Sequence, residues 1–387
     1  PNIPKAYIML TLENEVEAKA AAHHDIKNVI DEIQRSRKHD FACPRNQLSL
    51  RWRSRQDAPS ERWAGYSVTL DGGNTGYEFP ANDHFISQLS SYWTGMKPYG
   101  KMLTETGQHD LLVDNVNKQL QRTSGNALIR TSGSDVASDL TARAFLSDRY
   151  KIVDDNDVFD VALPIIGEHS DTFRSLGGRR TDTNTHTKFI TREPIAQIGK
   201  REMFAGFELS NSEVGLGSAS FKAIFFDSFC ENGCTFGNIK LFQASFVHKG
   251  AKLKTDFGPV FGDEFKLAET AAIRSAIGEA TRKALDTKYH QQIADIIERG
   301  HKRKVTGDVA SVLKEVGKRV GLTEAEREQS LLMMDESEAH AYGIQAAITK
   351  LAQDASSYTR RNKLEEAGGK VLEFTDGAWN AVASLAA

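Results

Sequence analysis

The sequence predicts an α+β protein: an antiparallel twisted sheet core with packed helices, followed by a mainly helical C-terminal region. Three observations carry that class. Residues 141–166, TARAFLSDRYKIVDDNDVFDVALPII, read as a strand, a cap and a short helix. Strand-like runs recur at 187–198, 203–211 and 221–229, separated by polar turns. From about Phe265 to the end, apolar residues return at three-to-four spacing. The chain thus divides into an N-terminal helix with basic strands (1–80), an α+β core (81–265) and a helical C-terminal region (266–387).

In order, residues 13–38 predict a helix with Val16, Ala20, Ile26, Val29, Ile30 and Ile33 on one stripe. The segment 46–56, NQLSLRWRSRQ, alternates as a strand. Leu48, Leu50, Trp52 and Ser54 take one side, and Arg51, Arg53 and Arg55 the other. Gly65–Leu70 is strand-like and leads into an Asp71-Gly72-Gly73-Asn74 turn. Asn82 caps a helix beginning Phe85, Ile86, Leu89; residues 110–121 form another, and 126–132 a short strand. The polar stretch Ser132–Asp139 connects it to the next strand.

That next strand, Thr141–Val153, is the pivot. Ala142, Ala144, Leu146, Tyr150 and Ile152 share one face; Arg143, Phe145, Ser147, Arg149 and Lys151 share the other. The second face combines three cations with an aromatic ring, which suits an anionic polymer with stackable bases. The competing reading is an amphipathic edge strand whose cations are solvated. Asp148 falls on the apolar side and breaks the pattern unless it pairs with an arginine or ends the strand. Asp154 or Asp155 caps the following helix, where Pro164 disturbs the last turn.

Residues 168–188, rich in Ser, Thr, Asp and Gly, predict a mobile loop. Within it Gly177-Gly178-Arg179-Arg180 either wraps a phosphate backbone or makes a solvated excursion. Gly215 and Gly217 resemble part of a dinucleotide loop, but the third glycine and the following helix are missing. Ser210–Ser220 is then a polar turn or the lining of a binding groove. Residues 221–229 are apolar on both faces, as in a central strand. Farther on, Thr306 caps a helix ending near Arg319, Thr323 and Glu326 form a capping box, Glu338–Ala355 is helical, and Trp379 lies in a short terminal segment.

The 387 residues are 40% hydrophobic and 26% charged, with a net charge of -3. That balance excludes a uniformly basic coat, so any phosphate binding rests on local patches. Residues 35–63 are one such patch, and 298–305 is another, which also fits a helix C-terminus dressed with cations. No apolar run reaches the ~20 residues of a membrane span, and the N-terminus lacks the arrangement of a signal peptide, so the expectation is a cytoplasmic protein without a membrane partner. Cys43, Cys230 and Cys234 are too few for a disulfide framework. Cys230, Cys234 and His248 could ligate zinc, but Asn232-Gly233 between the cysteines reads more simply as a hairpin turn.

No catalytic constellation emerges: HExxH, Walker A and GxSxG motifs are absent. The acidic group Asp148, Asp154, Asp155 and Asp157 is the one candidate for a magnesium-dependent nuclease, and helix capping accounts for two of its members. No cofactor is expected.

Six segments carry a family likeness: FISQLSSYWTGMKP (85–98), NVNKQL (115–120), ALIRTS (127–132), RAFLSDRYKIVDDNDVF (143–159), LSNSEVGLGSASF (209–221) and AYGIQAAITKLAQDASSYTRRNKLEEAGGKVLEF (341–374). In this order they resemble the phage/plasmid-like protein family catalogued as domain of unknown function number 932. The likeness spans roughly residues 80–380 and implies a phage, prophage or plasmid origin, but no activity or catalytic residues. By layout the strand-rich core is also similar to the ring-forming single-strand annealing proteins of phage recombination. The expectation is a homo-oligomeric protein that binds or anneals single-stranded DNA through Arg143, Phe145, Arg149 and Lys151, with Arg51, Arg53, Arg55, Arg179 and Arg180 adding phosphate contacts. The alternative is a phage structural or virion-associated protein.

Overall fold

Alternating strands and capped helices assemble into an α+β fold with antiparallel sheets and a helical C-terminal region. The structure is a computed structural model and describes residues 25–36, 39–70, 78–133, 139–198, 201–228, 232–236, 244–246, 263–335, 338–355 and 357–385. Residues 13–24 of the first predicted helix and the 71–74 turn lie outside them. So do Cys230 and His248.

The first lobe carries two small sheets. Strands β1 (Phe41–Pro44), β5 (Asn126–Ser132) and β6 (Thr141–Ser147) form one; β2 (Ser49–Arg53), β3 (Gly65–Thr69) and β4 (Glu78–Pro80) form the other. A parallel bridge between Ala81 and Ala142 joins the two. Three helices close this lobe: α2 (Asp83–Ser91), α3 (Met96–Glu105) and α4 (His109–Gln121). As expected, the Asn82 side chain caps α2 by accepting from the Phe85 amide at 2.9 Å. The core holds Leu50, Val68, Phe79, Phe85, Leu89, Val116, Ile129 and Phe145. It runs from Cys43 to Phe145, so the expected boundary at residue 80 cuts through a continuous core and is corrected.

The second lobe is built on a larger sheet ordered β12-β11-β10-β8-β7. Its strands are β7 (Phe173–Arg180), β8 (Thr185–Thr191), β10 (Arg201–Asn211), β11 (Ala219–Asp227) and β12 (Asn232–Thr235), with β9 (Ala196–Ile198) on β10 and β13 (Ala244–Phe246) on β11. One face presents Phe173, Phe189, Phe207, Phe221 and Phe225, all 0% exposed. Helices α1 (Ile26–Arg35), α5 (Asp155–Gly167), α6 (Asp263–Ala284) and α7 (Lys288–Lys302) share that core. Each fully buried Phe contributes roughly 1.5–3 kcal/mol by burial, making this layer the main apolar anchor of the fold.

Three sequence expectations fail here. Residues 168–188 are not a mobile loop: β7 and β8 form a hairpin inside the sheet. The glycines misled, because Gly177 (φ +86°) sits at a bulge and a Cβ on Gly178 would lie 2.3 Å from the His186 carbonyl. The pivot strand stops at Ser147, and the chain turns before α5. Asn232-Gly233 is strand rather than turn, paired with Asp227 and Phe226. By contrast β11 is central, as its two apolar faces predict.

Helices α8 (Val309–Val320), α9 (Glu324–Met333), α10 (Ala341–Lys350), α11 (Tyr358–Leu372) and α12 (Asp376–Ala383) form the C-terminal region. Thr323 and Glu326 make the expected capping box, whereas Asp308, not Thr306, caps α8. α11 lies on the sheet's other face. There Lys188, Glu208 and Lys222 stand in one cross-strand row, and Lys188 pairs with Glu365 while Lys222 pairs with Glu366. Gly369 permits the approach, since a Cβ there would lie 2.1 Å from the Thr235 carbonyl.

Burial holds the His290, His301 and His340 imidazoles down at about 4, with neighbouring cations adding to the effect at His301 and His340. The unfolded chain takes up these protons near 6.5, whereas the native chain does so only near 4. Stability is therefore expected to fall as pH drops from 6.5 toward 4, by about 1 kcal/mol per histidine once partial exposure is allowed for. Urea midpoints between pH 7 and 4.5 measure this, and His290→Gln with His301→Gln should flatten the trend; an unchanged trend in that double variant contradicts it.

Candidate nucleic-acid interface

The outer face of β2–β4 brings Arg51, Arg53 and Arg62 together around a tryptophan. Alternation sends Leu50 inward at 1% exposure and seats Trp52 on His109, ring centroids 3.7 Å apart. Arg51 and Arg53 therefore point the other way, opposite Ser67 and Gly65. Glu78 on β4 lies between them. Arg51 Nη1 is 3.2 Å from its Oε2, and Arg53 grips both carboxylate oxygens while donating to Ser67 Oγ at 3.1 Å. Burial pushes the Glu78 carboxyl up, but the bonds from Arg53 and Ser67 outweigh it and leave a net lowering. One carboxylate thus aligns two guanidinium groups without neutralising both.

Trp63 ends a short 3-10 turn, Glu61–Trp63, and is half-buried. The Arg53 and Arg62 guanidinium carbons lie 5.8 Å and 5.9 Å from its ring. Arg62 is anchored by donating to the Leu140 carbonyl at 2.7 Å, and it lies 3.4 Å from Asp139. Arg55 is exposed just beyond β2. The Arg51, Arg53 and Arg62 side chains remain 48%, 25% and 32% exposed. The predicted second basic face therefore forms, with Arg51 and Arg53 together on it. Sequence reasoning missed Trp63, although the Arg62-Trp63 pair inside a basic patch was a usable signal.

The other predicted residues do not converge into a groove. Arg143 is 7% exposed and bound to Glu213 at 3.1 Å and to the Asp182 carbonyl, and Phe145 is 5% exposed, edge-on to Phe85 and Tyr92. Neither offers itself to solvent, so both assignments are corrected: a bulge at Arg143 breaks the alternation of β6, Phe145 turns into the first lobe's core with Ala142 and Ile129, and Arg143 meets the second lobe. Arg180 is corrected likewise, being locked to Asp155 and Glu213, both at 3.2 Å. Arg179 sits on the opposite face of β7, half-buried and in register with His186. Arg149 is exposed on the turn after β6, and Lys151 is half-buried beyond it.

The acidic group is dispersed as well. Asp154 binds Arg130 at 2.6 Å, and Asp155 holds Arg180, Thr185 and Asn211. Asp157 completes the capping box of α5, while Asp148 is exposed on a turn. Among the described residues, no three His, Cys, Asp or Glu side chains are grouped to hold a metal ion. Cys234 is buried, which raises its thiol well above the usual range. Nor, among them, is any helix long and apolar enough to cross a membrane.

No family model matches this chain, and neither a curated protein nor a solved structure does. The surface chemistry of β2–β4 is therefore the ground for a functional reading.

Proposed function

We propose that this chain is a phage- or plasmid-encoded protein of the host cytoplasm that binds single-stranded DNA through the outer face of β2–β4, in recombination or replication, and works as a homo-oligomer. Trp63 carries the reading. It is a stackable ring with a guanidinium group near it from each of Arg53 and Arg62, beside the exposed Arg51. Arginines grip phosphates without reading sequence, and an aromatic ring stacks on any base. Gripping the backbone leaves base edges open for pairing, as annealing demands. One short face contacts few nucleotides, and repeating it around an oligomer lengthens the track; mass measured with and without oligonucleotide tests that part.

The binding test is fluorescence polarisation of a labelled single strand across a salt series. Arg51→Gln with Arg55→Gln should flatten the dependence of log K on log salt by about 1.4, near 0.7 per lost phosphate contact. Trp63→Ala should weaken binding by about 1–3 kcal/mol with little change of slope. The control is Lys318→Gln on α8. Wild-type behaviour in both test variants, or no binding by the parent chain, rejects the proposal and leaves the structural role in a phage particle.

A further inference from the structure

The connection between β10 and β11, residues 212–218, is held at its base by contacts from both lobes. Glu213 Oε2 accepts from Arg143 at 3.1 Å and Arg180 at 3.2 Å, and its Oε1 accepts from the Asp155 amide at 2.9 Å. The Val214 carbonyl accepts from Gln88 Nε2 at 2.7 Å and meets His84 Nε2 at 3.1 Å. Ser212 Oγ donates to the Thr183 carbonyl at 2.8 Å and accepts from the Leu216 amide at 3.2 Å. Gly215 makes the turn at φ +80°, where a Cβ would lie 2.8 Å from Leu146.

This fixed base holds out Leu216, which is 57% exposed between two exposed glycines. The tip rests against the turn after β6: the Tyr150 hydroxyl donates to the Ser212 carbonyl at 3.4 Å, and the Gly215 Cβ position is 3.7 Å from the Tyr150 ring. That turn exposes Arg149. A stable protein interface needs a contiguous patch of roughly 800 Å² per partner with an apolar centre. Leu216 is instead a single apolar point among glycines, and the turn that its loop touches carries the exposed Arg149 beside Asp148. Such a point suits insertion into a base stack, with the arginine of the adjoining turn for a phosphate.

We propose that Leu216 inserts between successive bases of a bound single strand while Arg149 holds the adjoining phosphate. This rests on the single-strand reading above and adds a second contact to it. Strand β6 links the two places, since Arg62 bonds to the Leu140 carbonyl before it and Arg149 follows its end.

The test uses the full chain and a single-stranded oligonucleotide with an internal 2-aminopurine, whose emission rises when neighbouring bases unstack. Binding by the parent chain should raise emission about twofold or more at some probe position. Leu216→Ala and Leu216→Ser should remove that rise and weaken binding about three- to tenfold with an unchanged salt slope, while Arg149→Gln should lower the slope by about 0.7. Far-ultraviolet circular dichroism checks that these exposed positions leave the fold intact. If both Leu216 variants keep the full rise and parental affinity, insertion is overturned while binding at Trp63 stands, and the tip belongs to a protein contact. If the parent chain fails to bind, the single-strand reading falls and takes this contact with it.

Discussion

Replacing Glu213 by alanine is expected to lower the unfolding free energy by about 3–5 kcal/mol. The carboxylate is 2% exposed and serves Arg143 from the first lobe, Arg180 from the sheet and the Asp155 amide at the start of α5. Losing it leaves two largely buried guanidinium groups short of their shared counter-charge, and desolvated charge without a partner is what makes broken buried pairs costly. Urea unfolding measures the loss. Adding Arg143→Met to the same chain should recover part of it, because one of the stranded cations is then gone. A single-variant loss below about 1 kcal/mol would show that the cluster is solvated and does not join the lobes.

The second large effect is expected on the opposite side of the sheet. Glu365→Ala leaves Lys188, itself 3% exposed, without its carboxylate beneath α11, at a cost again of about 3–5 kcal/mol. Nearby Glu208 offers little compensation, since it is already committed: burial raises its carboxyl, but the 2.7 Å contact with His186 and the charges of Lys188 and Lys222 hold it down at about 2. The variant should loosen α11 from the sheet, so limited proteolysis in the 351–354 turn should quicken before the first lobe is attacked. Exchanging both members, Lys188→Met with Glu365→Leu, should restore most of the stability, because an apolar pair of similar volume can replace a buried ion pair. Equal protease resistance in Glu365→Ala and the parent chain would contradict the picture.

The Glu213 cluster and a bulge account for the pivot strand's departure from expectation. Period-two alternation puts Arg143 and Phe145 on one face, but Arg143 is the extra residue of a β-bulge, so Phe145 joins the first lobe's core with Ala142 and Ile129 while Arg143 meets Glu213. Nor does alternation say what covers a face. A lobe boundary passes over β6, and the acid that neutralises Arg143 comes from residue 213, seventy positions away. The same limit applies to Arg180 and to the acidic group, which met arginines and helix amides in place of a metal. The glycine-rich hairpin failed differently. Glycine marks both loops and close strand contacts, and Gly177 and Gly178 belong to the second kind.

Where local physics governs, the sequence alone determined the outcome. The α+β class, the central position of β11, the Asn82 cap, the Thr323–Glu326 box and the outward arginines of β2 follow from side-chain period and from hydrogen bonds within a turn. Only the tertiary structure decided which cations reach solvent. Burying a charge depends on a partner whose sequence distance nothing local encodes, and so Arg143 became a joint between lobes and Arg180 a tie within the second, while Arg51, Arg62 and Arg149 stayed at the surface.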